Sequence, residues 1–385
     1  MSQKCFGFDY RSGHPLRVDF DLAIEAVDEI IGPVEGIDTW IAPGFIDLQV
    51  NGFAGVDYCS PHSPMEEIQR SIHEQFATGV TRIYPTVITG SEADMQGAFR
   101  NLARAKRQLP EGAAFEAIHA EGPFISAEDG PRGAHPVAQC RPPRLEEWKR
   151  MQGAAEGHIR LLTLSPEYEG SARFIEQVVS DGVVVSIGHT KASATQIADA
   201  VSAGATMSTH LGNGAHTILP RHPNYIWEQL AEDRLTASFI VDGIHLPASF
   251  LKVALRAKGL ERSVLVTDAV MPAGCEPGEY ALGEIAVTLH PDGKVTLQGG
   301  TRLAGSALKM DVGISNLMSL AGLNLRDAIT MATSNAARAG RVGGRMRGLN
   351  PGERADLVEF TFDAKQKKIS VERTWMSGNL VYERK

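Results

Sequence analysis

The middle of the chain carries two apolar strand patterns separated by a helical one. A β-branched run at 183–187 predicts a strand, apolar residues recur at helical spacing over 197–204, and a second apolar run at 205–209 predicts another strand. His189 and His210 directly follow the two strands. Because all strands of a parallel α/β fold end on the same face, we expect the two histidines to lie at one mouth, one strand apart.

Strand and helix patterns alternate through most of the chain, with strand signals spaced by roughly 30 residues. The predicted strands are 45–51, 82–88, 115–119, 159–164, 183–187, 205–209, 235–241 and 264–267. Eight such units predict an α/β fold with a (β/α)8 TIM-like barrel. The alternative is an open doubly wound sheet, but that fold would concentrate polar strand-end residues at one switch point, whereas here they end many strands.

Helical patterns are clearest after the first two predicted strands. One helix starts after Pro64 and ends at Gly79, because its apolar residues share one face up to the glycine. The next is predicted over 91–108, with Ser91 as N-cap and Asp94 three residues later. Two further helices are predicted after the eighth strand, at 306–320 and 326–340.

Both ends of the chain are predicted to form short strands, which suggests a small β-sandwich domain assembled from the two termini. These strands are 16–20, 26–31, 357–362, 369–373 and 380–382. We therefore expect residues 1–42 and 351–385 to form the β domain and residues 43–350 to form the barrel. An alternating pattern at 284–297, around Asp292-Gly293, predicts a hairpin.

Composition excludes several classes of protein. The 385 residues carry a formal net charge of -8, without a dense basic cluster, so a nucleic-acid partner is not expected. The first residues lack the apolar core of a signal peptide, and no apolar run is long enough to span a membrane. The four cysteines are far apart and form no CxxC pair, which fits a reducing compartment. We expect a cytoplasmic protein that binds no membrane.

Polar residues of metal-binding or catalytic type end many of the predicted strands: Gln49, Asn51, Glu121, His189, His210, His245 and Asp268. One carboxylate and two histidines could bind a metal ion through three ligands and leave a position open, as in catalytic zinc sites. The ligands would come from separate strands, so the strand-end position, rather than a local motif, carries this hypothesis.

Each of these residues also has a purely structural interpretation. Glu121 could cap the turn that follows it, His245 could cap the helix that starts near Pro247, and Asp268 could be an N-cap. The two strand-end histidines could simply be hydrogen-bonded, but as a pair followed by Gly-Asn-Gly they favour function. His119 alternates with Glu121 on one strand, where core packing is expected and a contact behind the site is the alternative.

Ten segments, spread in order over nearly the whole chain, carry a resemblance to a known family: APGFIDLQVNG (42–52), HAEGPFIS (119–126), RGAH (132–135), SIGHT (186–190), THLGN (209–213), DGIHLP (242–247), VTDAV (266–270), LAGSALKM (303–310), TSNAAR (333–338) and GLNPGERADLV (348–358). The chain resembles the amidohydrolase superfamily and, within it, the N-acetylglucosamine-6-phosphate deacetylases. Much of the superfamily has HxH at the end of the first strand. Here Gln49-Val50-Asn51 resembles the branch that uses a single metal ion.

The resemblance implies hydrolysis of the N-acetyl amide of N-acetylglucosamine 6-phosphate to glucosamine 6-phosphate and acetate. It implies one divalent metal ion per subunit, with zinc expected and iron or another divalent ion as the alternative. The implied metal ligands are Glu121, His189 and His210. Asp268 would be the general base and acid, and His245 would contact the substrate carbonyl.

The resemblance further implies a homodimer and a set of substrate-binding residues: Gln49, His135, Asn213, Gly214, Arg221 and His245. Arg221 would reach the substrate phosphate from the neighbouring subunit. The chain departs from the family at 212–216, where the family has an aromatic residue after His-Leu and Ala-Met after Asn. Two alternatives stay open: a deacetylase of a different N-acyl amino sugar, phosphorylated or not, and a non-catalytic sugar-binding barrel.

Overall fold

The central feature of the computed structural model, which describes residues 2–32, 36–282 and 285–385, is a parallel sheet of eight strands. The strands lie side by side in chain order: Phe45–Val50, Val80–Ile88, Ile118–Glu121, Ile159–Leu164, Val184–Ile187, Met207–Ser208, Thr236–Ile240 and Ser263–Val266. The sheet closes because the Asp268 amide donates to the Gln49 carbonyl oxygen over 3.0 Å, and Val50 pairs in parallel with Ala269. The predicted (β/α)8 barrel is confirmed, and the open sheet is excluded.

Helices connect most of the barrel strands and continue after the last one. The described α-helices are Met65–Phe76, Glu92–Gln108, Leu145–Ala154, Ser171–Ser180, Ala194–Ser202, Tyr225–Ala231, Ala248–Lys258, Met310–Asn316, Leu325–Ala332 and Ser334–Gly340. The predicted cap of the second helix is confirmed, because Ser91 Oγ accepts a hydrogen bond of 3.1 Å from the Asp94 amide. Among the helices described, none has both the length and the apolar character needed to cross a bilayer.

Four predicted elements were wrong in extent. The strand predicted at 205–209 is shortened to Met207–Ser208, and the one predicted at 115–119 lies at Ile118–Glu121. The helix predicted from residue 306 begins at Met310, because Ser306 is held in a strand by backbone hydrogen bonds with residues 268 and 270. The helix predicted at 326–340 breaks at Thr333, whose backbone leaves the helical region at φ -129 and ψ -96.

A second, seven-stranded sheet combines strands from both ends of the chain. In spatial order its strands are Asn379–Glu383, Lys368–Met376, Leu357–Asp363, Trp40–Pro43, Gln3–Asp9, Pro15–Phe20 and Ile24–Glu29. Its two halves face one another, since the ring centroids of Phe20 and Trp375 lie 5.9 Å apart across the sheet. The β unit built from both termini is thus confirmed, although Gln3–Asp9 and Trp40–Pro43 were not predicted as strands.

A four-stranded antiparallel sheet follows the eighth barrel strand. Its strands are Gly278–Leu282, Ile285–Leu289, Lys294–Leu297 and Leu303–Ser306. The hairpin predicted at 284–297 is present from Ile285 onward, and Glu284 itself lies outside the described residues. An apolar cluster that includes Val270 and Val287 packs this sheet against Ala134, so the sheet supports a loop above the carboxyl end of the barrel.

Candidate metal centre and active site

Three side chains from nearby strands meet at the carboxyl end of the barrel. Glu121 ends the third strand, His189 follows the fifth and His210 follows the sixth. The Nε2 atoms of both histidines lie 3.0 Å from Glu121 Oε1 and 3.1 Å from each other. All three side chains are buried. The two histidines therefore lie at one mouth, as the strand pattern predicts.

The ring of His189 is fixed by its second nitrogen and by two glycines. Nδ1 lies 2.8 Å from the carbonyl oxygen of Pro131, and because a carbonyl only accepts, Nδ1 carries the proton. Nε2 is then the nitrogen that faces Glu121 and is available to a metal ion. A Cβ added to Gly214 would lie 2.8 Å from Nδ1, and one added to Gly133 would lie 3.3 Å from Cε1. The two glycines allow their loops to pack directly on the ring.

Three residues at the barrel mouth have left-handed backbone conformations. The φ angles are +49° at His189, +29° at His210 and +50° at Asp268. Such angles are uncommon outside glycine and cost of order 1–3 kcal/mol each. They are held by neighbouring strands: the His210 amide donates to Ser238 Oγ over 2.8 Å. The strained turns aim all three side chains inward instead of along the strand.

The chemistry of this cluster suits a divalent cation. Burial alone would raise the pKa of Glu121, but hydrogen bonds and charges from the two histidines lower it well below its usual range. An ionised carboxylate therefore faces two imidazole nitrogens, and the three donor atoms lie within 4.8 Å of one another. Carboxylate and imidazole are ligands that zinc and related metals accept. A bound cation would take the place of the protons through which the two histidines contact the carboxylate.

Asp268 follows the eighth strand and is held by two amide side chains. Its Oδ1 accepts hydrogen bonds from Gln49 Nε2 at 3.0 Å and from Asn51 Nδ2 at 2.7 Å. Burial and the nearby charge of Glu121 raise the pKa of Asp268 to about 6, although His210 opposes the shift. A carboxyl group with a pKa near neutrality can both take up and release a proton.

His245 forms a dyad with an aspartate in the loop after the seventh strand. Its Nδ1 lies 2.6 Å from Asp242 Oδ2, and Asp242 Oδ1 accepts the amides of Ile244 and His245 over 2.8 Å each. The capping interpretation of His245 was wrong, because the helix that begins at Ala248 has no side-chain cap. The dyad fixes Nδ1 as the hydrogen-bonded nitrogen and leaves Nε2 for a ligand.

His135 lies beside the three candidate metal ligands Glu121, His189 and His210, which we call the metal-type cluster. Its ring centroid lies 4.3 Å from that of His189, and its Nδ1 lies 2.8 Å from Thr89 Oγ1. Burial, followed by the charge of His189, lowers the pKa of His135 to about 3. The ring is therefore neutral and can exchange hydrogen bonds without carrying charge into the site.

The predicted phosphate-binding residues are only partly brought together. Asn213 lies in the loop after His210, where its backbone amide donates to the His210 carbonyl oxygen over 3.0 Å, and Gly214 packs on His189. Arg221 lies on an exposed stretch of loop, and its side chain forms no hydrogen bond or ion pair within the described ranges. Within one chain, the interactions of the described residues thus do not connect Arg221 to the cluster.

Sequence reasoning missed the partners that orient the predicted residues. Asp242 precedes His245 by three residues, a spacing that could have indicated the dyad. Thr89 directly follows the second strand, so the strand-end rule that selected the histidines applies to it as well. Asn51 belonged to the strand-end set, but its role as a donor to Asp268 depends on the closure of the barrel.

Comparisons with known proteins agree with this geometry. The sequence profile of the Amidohydrolase family matches residues 40–381. The N-acetylglucosamine-6-phosphate deacetylase of Bacillus subtilis is 32% identical over 340 residues, covering 87% of this chain and 83% of the relative. The N-acetylgalactosamine-6-phosphate deacetylase of Escherichia coli O157:H7 is 30% identical over 369 residues, covering 95% and 94%. A Mycobacterium smegmatis N-acetyl-D-glucosamine-6-phosphate deacetylase variant, solved with N-acetyl-D-glucosamine-6-phosphate, superposes with a TM-score of 0.89 at 28% identity over 99% of both chains.

Proposed function

The chain belongs to the amidohydrolase family, and from this premise we propose that it hydrolyses the N-acetyl amide of N-acetylglucosamine 6-phosphate to glucosamine 6-phosphate and acetate. The observation that carries the proposal is the meeting of Glu121, His189 and His210, with nitrogen–oxygen distances of 3.0 Å, in a buried site with Asp268. Deacetylase relatives that match most of the chain support the choice of an N-acetyl amide.

In the proposed reaction, Asp268 handles the proton. Its carboxylate takes a proton from the attacking water as the water oxygen bonds to the amide carbon, and returns it to the nitrogen as the C–N bond breaks. One water is consumed, and acetate and the free amine leave. A divalent metal ion held by Glu121, His189 and His210 would supply the Lewis acidity that activates water and polarises the carbonyl.

The side chains around Asp268 keep it in place for both proton transfers. Gln49 and Asn51 donate to the same oxygen, Oδ1, so Oδ2 is directed toward the reacting atoms. We assign His245 to the carbonyl oxygen of the substrate, where a proton on Nε2 would stabilise the developing negative charge. Asp242, 2.6 Å from Nδ1, holds the ring in the orientation that presents Nε2 to the substrate.

We propose further that the metal is zinc, because one carboxylate and two imidazoles form a three-ligand set typical of catalytic zinc. Asn213, the backbone of Gly214 and Arg221 would bind the 6-phosphate, with His135 contacting the sugar. Since the side chain of Arg221 is exposed and forms no hydrogen bond or ion pair among the described residues, it would act on the site of the partner subunit in a homodimer. We retain a cytoplasmic location and the division into a barrel, 43–350, and a β domain, 1–42 with 351–385.

A second candidate substrate is N-acetylgalactosamine 6-phosphate. The match to the Escherichia coli relative named for this sugar covers 95% of this chain and 94% of the relative. The match to the Bacillus subtilis relative covers 87% and 83%. The two sugars differ only at carbon 4, while the amide that is cleaved is the same. The proposed roles of the metal-type cluster and of Asp268 are therefore unaffected by this choice.

The test is acetate release from three sugars, measured side by side with added zinc: N-acetylglucosamine 6-phosphate, its galactosamine counterpart and unphosphorylated N-acetylglucosamine. We expect kcat/KM to be highest for the first. A higher kcat/KM for the second would make N-acetylgalactosamine 6-phosphate the substrate. An equal kcat/KM for the unphosphorylated sugar would contradict the proposed phosphate-binding site. The metal-loaded Asp268→Asn variant is the control, and release of no acetate from any sugar by the wild type would support a sugar-binding barrel instead.

A further inference from the structure

Behind the three candidate metal ligands, buried side chains form a continuous chain of hydrogen bonds: His119, Thr163, Thr209 and Ser186. Nε2 of His119 lies 2.7 Å from Thr163 Oγ1, which lies 2.6 Å from Thr209 Oγ1, which in turn lies 2.6 Å from Ser186 Oγ. None of the four residues is more than 5% exposed. His119, which we expected to pack in the core, is thus the first member of a polar network.

The hydrogen bonds in this network run in a single direction. His119 Nδ1 lies 3.2 Å from the Leu48 carbonyl oxygen, so Nδ1 carries the proton and Nε2 can only accept. Thr163 must therefore donate to His119, Thr209 must donate to Thr163, and Ser186 must donate to Thr209. Because each hydroxyl has only one proton, the removal of one member leaves its neighbours without their partners.

Two members of the network directly support metal-type ligands. His119 lies two residues before Glu121 on the same strand, so the two side chains share the inner face of the barrel. Thr209 immediately precedes His210. The hydrogen bonds from the third strand to the sixth therefore fix the separation between the strand ends that carry Glu121 and His210.

The third ligand is supported by packing against the same threonines. Gly188, the residue before His189, lies between Thr163 and Thr209: a Cβ added to it would lie 2.8 Å from Thr163 Cγ2 and 2.8 Å from Thr209 Cβ. The distance between the two threonines thus sets the place of Gly188, and with it the start of the strained turn at His189.

We propose that this hydroxyl network is a positioning device for the metal ligands, with Thr163 as its central residue. The proposal rests on the metal site of the proposed function. It predicts that the network sets the affinity for the metal, because without it the strand ends relax and metal binding must first bring the ligands together. Residues that orient metal ligands typically contribute 10–100-fold to affinity.

The experiment measures the zinc dissociation constant of the metal-free protein by competition with a chromogenic chelator. Thr163→Val keeps the shape of the side chain and removes its hydroxyl, and we expect its Kd to rise about 10–100-fold. Thr163→Ser keeps the hydroxyl but removes the methyl group that packs on Gly188, so its Kd should rise clearly less than that of Thr163→Val. Thr374→Val is the matched control. Thr374 lies in the seven-stranded sheet built from both termini, which we call the terminal sheet, is also fully buried, and its hydroxyl donates to the Phe76 carbonyl oxygen.

An unchanged Kd in Thr163→Val would overturn the proposal, as would an equal rise in Thr374→Val, which would indicate a general effect of lost stability. If Thr163→Val does not fold, Ser186→Ala tests the end of the same network, with a rise of about tenfold expected and an unchanged Kd contradicting it. Failure of the metal site itself is distinguishable, since the wild type would then bind no zinc, or Glu121→Gln would bind it equally well.

Discussion

Two buried carboxylates, one at each end of the barrel, have opposite surroundings. Asp356 lies at the amino-terminal end of the barrel strands, where Arg82 Nε and Arg345 Nη1 approach its Oδ2 to 3.2 and 2.8 Å and Arg354 forms a third ion pair. Its other oxygen accepts the Ser377 amide over 2.8 Å. Glu121, at the opposite end, faces two imidazoles in place of guanidinium groups.

The charge at Asp356 is balanced by the chain itself, whereas the charge at Glu121 is balanced only by bound protons or a metal ion. At Asp356 the chain supplies permanent positive charge in excess of the carboxylate, because arginines stay charged in proteins. At Glu121 the surrounding groups are imidazoles, which carry charge only when they bind a second proton. Positive charge at the barrel mouth must therefore come from bound metal or from protons, and these can be exchanged with the solution.

The largest effect is expected for Glu121→Gln, which removes the charge of the candidate metal ligand. We expect kcat/KM to fall by about 10³-fold or more, because a loss of several kcal/mol of metal-derived stabilisation corresponds to that factor. The midpoint of thermal unfolding of the metal-free protein should fall as well, because a lowered pKa of Glu121 means that its charged form stabilises the folded state. The measurements are acetate release and calorimetry of metal-free and zinc-loaded protein.

Glu147→Gln is the control for this variant. Glu147 is also fully buried, and it pairs with Arg141 at 2.6 Å and with Arg144 at 3.1 Å instead of with histidines. We expect this variant to lose stability and to keep its zinc affinity and activity. Activity near the wild-type value in Glu121→Gln would contradict the assignment of Glu121 as a ligand.

Asp356→Asn tests the structural half of the comparison. Removing the carboxylate leaves three guanidinium groups without their shared counter-charge, and we expect the free energy of unfolding to fall by about 3–5 kcal/mol. Urea denaturation measures the change, and zinc affinity of the folded protein should be retained. Asp28→Asn, which breaks the exposed pair with Arg17, should cost no more than about 1 kcal/mol. Equal losses of unfolding free energy in the two variants would contradict the special structural role of Asp356.

The dependence of activity on pH sharpens the comparison further. Burial raises the pKa of Asp268 to about 6 in the metal-free chain, and the charge of a bound cation would lower it, so kcat/KM should fall tenfold per unit in an acid limb that lies below pH 6. Stability should move in the opposite direction: a raised carboxyl pKa favours the protonated folded state, and this contribution is lost as pH rises through about 6. In metal-free protein, Asp268→Asn should thus gain stability relative to the wild type between pH 4 and 7. A pH-independent difference would contradict this.

The barrel and the members of its site were predictable because both depend on local pattern. Apolar runs identify strands, and the rule that parallel strands end on one face places His189 and His210 together without any knowledge of contacts. The same rule reached Glu121 and Asp268. It gave no distances, and it could not choose between ligation and capping, because that choice depends on which side chains lie across the mouth.

What escaped prediction depends on contacts between distant parts of the chain. Thr163 and Thr209 are ordinary strand residues until the barrel brings their hydroxyls within 2.6 Å. The partners of Asp356 include Arg82, from the second barrel strand. The strand Gln3–Asp9 has apolar and polar residues without strict alternation, and it is defined by pairing with Pro15–Phe20 and Trp40–Pro43 rather than by its own pattern.

The terminal sheet also constrains the order in which the molecule can be completed on the ribosome. Trp40–Pro43 pairs with Gln3–Asp9 on one side and with Leu357–Asp363 on the other. About 300 residues must be translated before the second of these partners exists, which takes roughly 15–60 s at ordinary synthesis rates. During this interval the strands from residue 3 to residue 43 present an unpaired edge, which is open to non-native pairing with other nascent chains. Slower translation through the barrel would lengthen that exposure, and a chaperone that covers this edge would have its greatest effect before residue 357 emerges.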